Sequence, residues 1–223
     1  MSIQENLQTI KSTLPINVQL IAVSKTKPIS DILEAYNAGQ RAFGENKIQE
    51  MVSKFDQLPK DIEWHMIGHL QRNKVKYMAS FVHLIHGVDS FKTLKEINKQ
   101  ALKHNRIINC LLEIKIASEE TKFGLAIDDV EKILLSSELK ELKNINIQGF
   151  MGMASFTNDT SIIHSEFKTL KSQFEISKKY ASQNFNPTII SMGMSGDYTI
   201  AIKEGSTMVR VGSAIFGKRS CQI

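Results

Sequence analysis

The chain has almost no cysteine: Cys110 and Cys221 are the only two in 223 residues. One reads as a strand residue and the other sits in the tail, so neither a disulfide framework nor a cysteine metal site is expected. Proline is also scarce, with four residues, and no Pro/Gly/Ser-rich linker, low-complexity tract or shift of composition divides the chain. One domain over 1–223 is therefore expected. No apolar run is as long as a membrane span. The opening MSIQENLQTI lacks the basic start and apolar stretch of a signal peptide. A cytoplasmic protein without membrane contact is the expectation. Excess charge is modest at +5, and the lysines are spread along helical segments. That pattern reads as solvated helix faces, not as a nucleic-acid surface.

What is present is ordinary for a folded protein, with 42% hydrophobic and 23% charged residues. Residues 3–13 read as an amphipathic helix, broken at Pro15. Strand and helix then alternate. Strands are expected at 19–24, 41–44, 63–67, 82–86, 110–116, 145–151, 188–192 and 207–211. Helices are expected near 29–38, 46–56, 71–79, 90–103, 127–137, 160–183 and 197–203. Eight such units at this length predict a single-domain α/β TIM barrel. A doubly wound open sheet gives the same alternation. Glu113 and Lys115 interrupt the apolar run of the fifth strand, whereas a strand buried on both faces of an open sheet is more continuously apolar.

The stretch that organises the rest is Leu20-Ile21-Ala22-Val23-Ser24-Lys25-Thr26-Lys27-Pro28. Pro28 ends the strand, and Ser30 with Asp31 can cap the next helix. Alternation puts Ile21, Val23 and Lys25 on one face. A lysine closing an apolar face at the carboxyl end of the first strand suits Schiff-base chemistry, because burial lowers its pKa and frees its lone pair.

Sites in such barrels lie at the carboxyl ends of the strands, and the last two loops often hold a phosphate. Those loops here are Ser191-Met192-Gly193-Met194-Ser195-Gly196-Asp197 and Arg210-Val211-Gly212-Ser213-Ala214-Ile215-Phe216-Gly217. Glycines admit an anion to the backbone and hydroxyls donate to it. Arg210 shares parity with Met208 and Gly212, so it should point into the barrel mouth, where it needs a partner. That partner is either a ligand acceptor or a barrel carboxylate such as Glu113.

These pieces resemble the pyridoxal phosphate homeostasis proteins, relatives of the amino-terminal barrel of alanine racemase. The resemblance covers nearly the whole chain. Besides the stretches above it rests on Phe43-Gly44-Glu45-Asn46, Trp64-His65-Met66-Ile67-Gly68-His69-Leu70-Gln71 and Gly205-Ser206-Thr207. It implies pyridoxal 5′-phosphate (PLP) as cofactor, held as a Schiff base on Lys25. By the same resemblance Asn46 lies beside the ring, Ser195, Gly212 and Ser213 hold the phosphate, and Arg210 faces the pyridine nitrogen. Lys122 matches a recurring family lysine. Lys115 departs from the pattern by placing a cation where a neutral amide is expected.

An arginine at the pyridine nitrogen keeps its proton and weakens the ring as an electron sink. The chain also stops within about ten residues of the last strand, with no room for the second domain that completes a racemase. The expectation is a monomeric PLP carrier in vitamin B6 homeostasis, with little or no turnover and apo PLP enzymes as recipients. The alternative is a single-domain racemase using Lys25 and a partner such as His65. His65 and His69 straddle a strand end, and His83 and His86 fall on opposite strand faces, so no metal site is expected.

Overall fold

The computed structural model describes residues 2–119 and 123–217. Eight parallel strands close into a barrel in sequence order. They are β1 (Gln19–Val23), β2 (Ala42–Glu45), β3 (Glu63–Met66), β4 (Leu84–Val88), β5 (Ile108–Glu113), β6 (Ile145–Met151), β7 (Phe185–Ser191) and β8 (Met208–Val211). The helices are α1 (Ile3–Thr13), α2 (Ile29–Asn37), α3 (Ile48–Gln57), α4 (Phe91–Lys103), α5 (Ile127–Leu135), α6 (Thr160–Ser177), α7 (Tyr198–Lys203) and α8 (Ser213–Phe216). A 3-10 helix, Arg72–Tyr77, stands where the sequence predicts the third crossover helix. The barrel is therefore the correct choice over the open sheet.

Period-two alternation divides the apolar residues into two cores. Leu20, Ala22, Phe43, Trp64, Ile85, Phe150 and Val209 face the helices in one large cluster. Ile21, Ala42, Leu84, Leu111, Met151 and Met208 face inward and form a small plug inside the barrel. The inward set of a strand such as β8 therefore runs Met208, Arg210, so polar residues at that parity end up in the barrel interior.

Local chemistry sets the helix starts. Ser2 and Glu5 form a reciprocal capping box on α1. Ser90 and Asp159 accept from first-turn N–H groups of α4 and α6. The proposed cap of α2 by Ser30 and Asp31 is not formed. Pro28 occupies the cap position without a side-chain bond, and both residues lie in the first turn, where Asp31 favours the helix dipole.

Strand bounds shift by two residues or more in β4, β5 and β7, with β5 opening at Ile108 and β7 at Phe185 instead of at 110 and 188. β4 starts at Leu84 because the Val82 N–H bonds back to the Met78 carbonyl in the preceding turn. β5 ends at Glu113, and the Lys115 N–H pairs with the Leu125 carbonyl, so Lys115 lies past the strand. The expected long helix at 160–183 stops at Ser177 and tightens into a 3-10 turn, Lys178–Tyr180.

Gly149 of β6 has φ of 140°, and a Cβ there would sit 2.0 Å from the Ile189 carbonyl oxygen of β7. Both the dihedral and the contact exclude a side chain. Gly149→Ala should lower stability by about 2 kcal/mol or more in urea unfolding. Gly196→Ala, where no heavy atom lies within 4 Å of the added Cβ, should leave the midpoint nearly unchanged.

Candidate functional site

The carboxyl ends of the strands bring the sequence candidates together. Val23 pairs with Gly44 across β1 and β2, so Lys25 and Asn46, each two residues on, stand at the same level. Both are half-buried. Ala22 pairs with Val211 across β1 and β8, which puts Gly212 beside Val23. The approach is close: a Cβ on Gly212 would lie 3.2 Å from the Val23 carbonyl oxygen. The Gly212 N–H donates to Ser195 Oγ at 3.2 Å, so the loops after β7 and β8 are joined at two of the three residues expected at a phosphate. Ser213 is exposed in the first turn of α8.

The segment around Lys25 is braced from beneath. Lys54, on α3, donates to the Ser24 carbonyl at 2.8 Å, to Glu45 Oε1 at 2.8 Å and to Glu50 Oε1 at 2.7 Å. Ser24 Oγ donates to the same Glu45 oxygen at 2.6 Å, and the Thr26 N–H donates to Glu50 at 2.6 Å. Lys25 thus sits between two residues fixed by one buried ionic cluster. Thr26 carries φ of 64°, a conformation costly for a β-branched residue and held there by this bracing. Burial pushes the Glu45 carboxyl above its ordinary value, and the Lys54 ammonium opposes that rise. Lys27 Nζ reaches the Phe216 carbonyl at 2.7 Å and ties the same loop to α8.

Arg210 points inward as its parity requires and is 4% exposed. Nη1 donates to the Ser191 carbonyl at 2.8 Å and to Ser191 Oγ at 2.7 Å, and Nη2 donates to the Gly152 carbonyl at 3.2 Å. Burial lowers its pKa to about 10, and the Asp197 and Glu113 carboxylates work against the fall. It stays cationic at neutral pH. These three bonds use three of its five N–H groups. Behind Ser191 the network continues inward: Ser191 Oγ lies 3.0 Å from His86 Nδ1, and His86 Nε2 lies 3.0 Å from His65 Nδ1. Burial holds both imidazoles neutral, with His65 lowered to about 3 and His86 also displaced well down.

Sequence reasoning missed this line. Ser191, His86 and His65 all lie on inward faces, but in sequence His86 reads only as half of a failed metal pair with His83, and His65 as a metal candidate or a partner for Lys25. His65 is 1% exposed and bonded to His86, so the racemase role considered for it finds no support. Glu166 of α6 was also missed. It accepts from the N–H groups of Ser118 at 3.1 Å and Ser155 at 2.7 Å, and so binds together the loops after β5 and β6. Lys115 is half-buried just beyond β5. Lys122 lies outside the described residues.

The arrangement fits an anionic aromatic aldehyde. It offers a primary amine at Lys25, a hydroxyl and glycine-lined backbone at Ser195 and Gly212, and a buried guanidinium with two N–H groups beyond its internal bonds.

The chain is similar to known proteins over nearly its whole length. The model of the family described as "Alanine racemase, N-terminal domain" matches residues 1–220. A pyridoxal phosphate homeostasis protein of Vibrio alginolyticus is 37% identical, with 98% of each chain covered. One of Aquifex aeolicus is 37% identical over 90% of this chain and 87% of its own. PipY of Synechococcus elongatus, in a structure without PLP, superposes with a TM-score of 0.91 at 35% identity, over 97% of this chain and all (100%) of that one. Its structure with PLP bound gives 0.87 at 34%, with the same coverage of both chains. An alanine racemase of Clostridium difficile shares the fold, with a TM-score of 0.79 at 14% identity, over 99% of this chain and 58% of that one.

Glu113, facing Arg210 from β5, gives a testable pH dependence. Burial pushes its carboxyl up from 4.5 to about 7, with the Arg210 cation pulling the other way and Asp89 adding to the rise. The native state therefore holds this proton more tightly than the unfolded chain does. Its favourable contribution is complete below about pH 4.5 and is lost as pH rises through about 7. At about 1.4 kcal/mol per pKa unit, the loss is about 3 kcal/mol. Urea unfolding at pH 5 and pH 8 should show this decline in the parent chain. Glu113→Gln should largely remove it.

Proposed function

The chain belongs to the pyridoxal phosphate homeostasis proteins, within the family of the alanine racemase N-terminal domain, and from that premise we propose that it binds PLP at the carboxyl end of the barrel and keeps it in reserve. Bound there, the cofactor would supply an aldehyde for amines and a pyridine ring able to take up electrons. The observation that carries the reading is the convergence of Lys25, Ser195, Gly212 and Arg210 on one barrel end, with Lys25 braced on both sides.

Each residue then has a task. Lys25 Nζ would be the amine that holds the cofactor by its aldehyde carbon. Ser195 Oγ, the Gly212 backbone and the Ser213 hydroxyl and N–H would hold the phosphate. Asn46 stands beside the ring. Arg210 would face the pyridine nitrogen and keep its own proton, which would leave the ring a weak electron sink and turnover low. We read 1–223 as one cofactor-binding unit that acts as a monomer in the cytoplasm and passes PLP to apo enzymes. No helix among the described residues is long and apolar enough to cross a membrane.

Borohydride treatment of the PLP-loaded chain should fix the cofactor, and peptide mapping should place it on Lys25. A label on another lysine, or an unchanged spectrum in Lys25→Ala, would exclude this attachment.

Ser195→Ala tests the phosphate cradle. Loss of one bond to a charged group should weaken PLP binding by roughly 1.5–3 kcal/mol. Affinity for unphosphorylated pyridoxal should barely move. Equal losses for both ligands would show that Ser195 acts only on loop geometry.

A further inference from the structure

The amino end of the barrel holds a group of side chains for which PLP binding has no use. Glu63 opens β3, and His65 follows two residues later on the same inward face. His83 stands just before β4, where its N–H donates to the Trp64 carbonyl at 2.9 Å, and its ring stacks at 5.3 Å from that of His65. One donor atom from each of Glu63, His65 and His83 lies within 4.8 Å of the others.

His65 supplies a second, independent observation. Its Nδ1 is engaged by His86 at 3.0 Å. Its Nε2 is buried and has no hydrogen-bond partner. A buried polar atom left unsatisfied costs roughly 1–3 kcal/mol, and native proteins keep few of them. The imidazole is held neutral by burial and by its neighbour His83, and in the tautomer that donates from Nδ1 to His86 the lone pair lies on Nε2.

We propose that Glu63, His65 and His83 form a site for a divalent first-row transition cation of the zinc class, at the barrel end opposite the cofactor. Two imidazoles and a carboxylate are a known donor set for zinc with one position left to water. Magnesium and calcium are disfavoured because they take oxygen donors almost throughout. Bonds of about 2.1 Å in a tetrahedron bring donors to about 3.4 Å from one another, so the three must close by roughly an ångström. His83 is exposed and Glu63 half-buried, and both can swing, while His65 stays fixed as the buried anchor.

The site comes with its outer support already built. A histidine that binds a metal usually donates its other ring N–H to a fixed acceptor, and here that acceptor is His86 Nε2. The bonds from His65 to Ser191 can run in either direction, depending on the two tautomers. A cation on His65 Nε2 selects the tautomer with the proton on Nδ1. His86 then accepts at Nε2 and donates from Nδ1 to Ser191 Oγ, the oxygen that also receives Arg210. The cation thus fixes the hydrogen-bond direction of the line that ends at Arg210.

The test is Zn2+ binding to the full chain, measured against a chromophoric chelator, with Co2+ absorption as a spectroscopic readout. One Zn2+ per chain is expected. His83→Ala and Glu63→Gln should each weaken it at least tenfold, with circular dichroism confirming that both fold. Co2+ should give the intense bands of a four-coordinate site in the parent chain and lose them in His83→Ala. In the NMR spectrum of 15N-histidine-labelled chain, Zn2+ should move the Nε2 resonance of His65. His164→Ala removes a two-member surface pair, His164 with Glu204 at 2.7 Å, and should change nothing. Binding that is unaffected by His83→Ala and Glu63→Gln, that disappears in His164→Ala, or that is undetectable in the parent chain would overturn the proposal.

Discussion

A guanidinium buried in the mouth of a closed barrel is the constraint on which much of the interior depends. Arg210 gives up water on every side, and such a group is tolerated only if its N–H groups find acceptors. The barrel supplies them from β6 and β7: the Gly152 carbonyl, the Ser191 carbonyl and the Ser191 hydroxyl. Ser191 must then be satisfied in turn, which accounts for His86 and, behind it, His65. A single cation at the carboxyl end thereby organises a polar line through an interior that otherwise holds Leu84, Leu111, Met151 and Met208.

The second buried cluster works from outside the barrel wall. Glu45 faces the helix layer, because Ala42 and Gly44 take the inward positions of β2. Its partner Lys54 comes from α3, one helical turn after Glu50. Together they grip the backbone on both sides of Lys25. Buried ion pairs add little net stability against an apolar equivalent, so a contribution to shape is the better account of this one. The positive φ of Thr26 is a conformation a free loop would abandon, and the cluster keeps it. The side chain between Ser24 and Thr26 is therefore presented from a fixed base.

The sequence revealed the barrel because eight apolar strands and their crossover segments carry a clear period, and because parity is enough to turn Ile21 and Arg210 inward. Helix caps were less legible. Ser30 and Asp31 have the composition of a cap but lie two and three positions too late, since Pro28 already holds the extended conformation that precedes α2. The end of β5 was hidden because Ile114 and Ile116 continue an apolar pattern past Glu113, although from Lys115 the backbone pairs with Leu125 and no longer with a barrel strand. The site was legible where a motif carries it, at Lys25 and at the loops after β7 and β8. The support beneath was not. Lys54 meets Glu45 across nine residues, and His86 meets Ser191 across 105. The first depends on how α3 packs back on β2 and the second on barrel closure, and no local spacing encodes either.

Barrel closure also explains why the partners of Arg210 are mostly neutral. An arginine locked to an ionised carboxylate would have its field cancelled inside the protein. Here the direct bonds go to two carbonyls and a hydroxyl, and the groups behind them are imidazoles kept uncharged by burial. The facing carboxylate, Glu113, is raised to about 7, so at neutral pH it is about half protonated and offsets the cation only in part. The Asp197 carboxylate, in the loop after β7, also acts on the cation, so the charge of Arg210 is balanced through space by two carboxylates while its direct bonds go to neutral groups. In a cavity of low dielectric such charges act strongly on one another. The neutral line behind Arg210 thus satisfies the guanidinium's hydrogen bonds and leaves its protonation to be set by burial and by those two carboxylates.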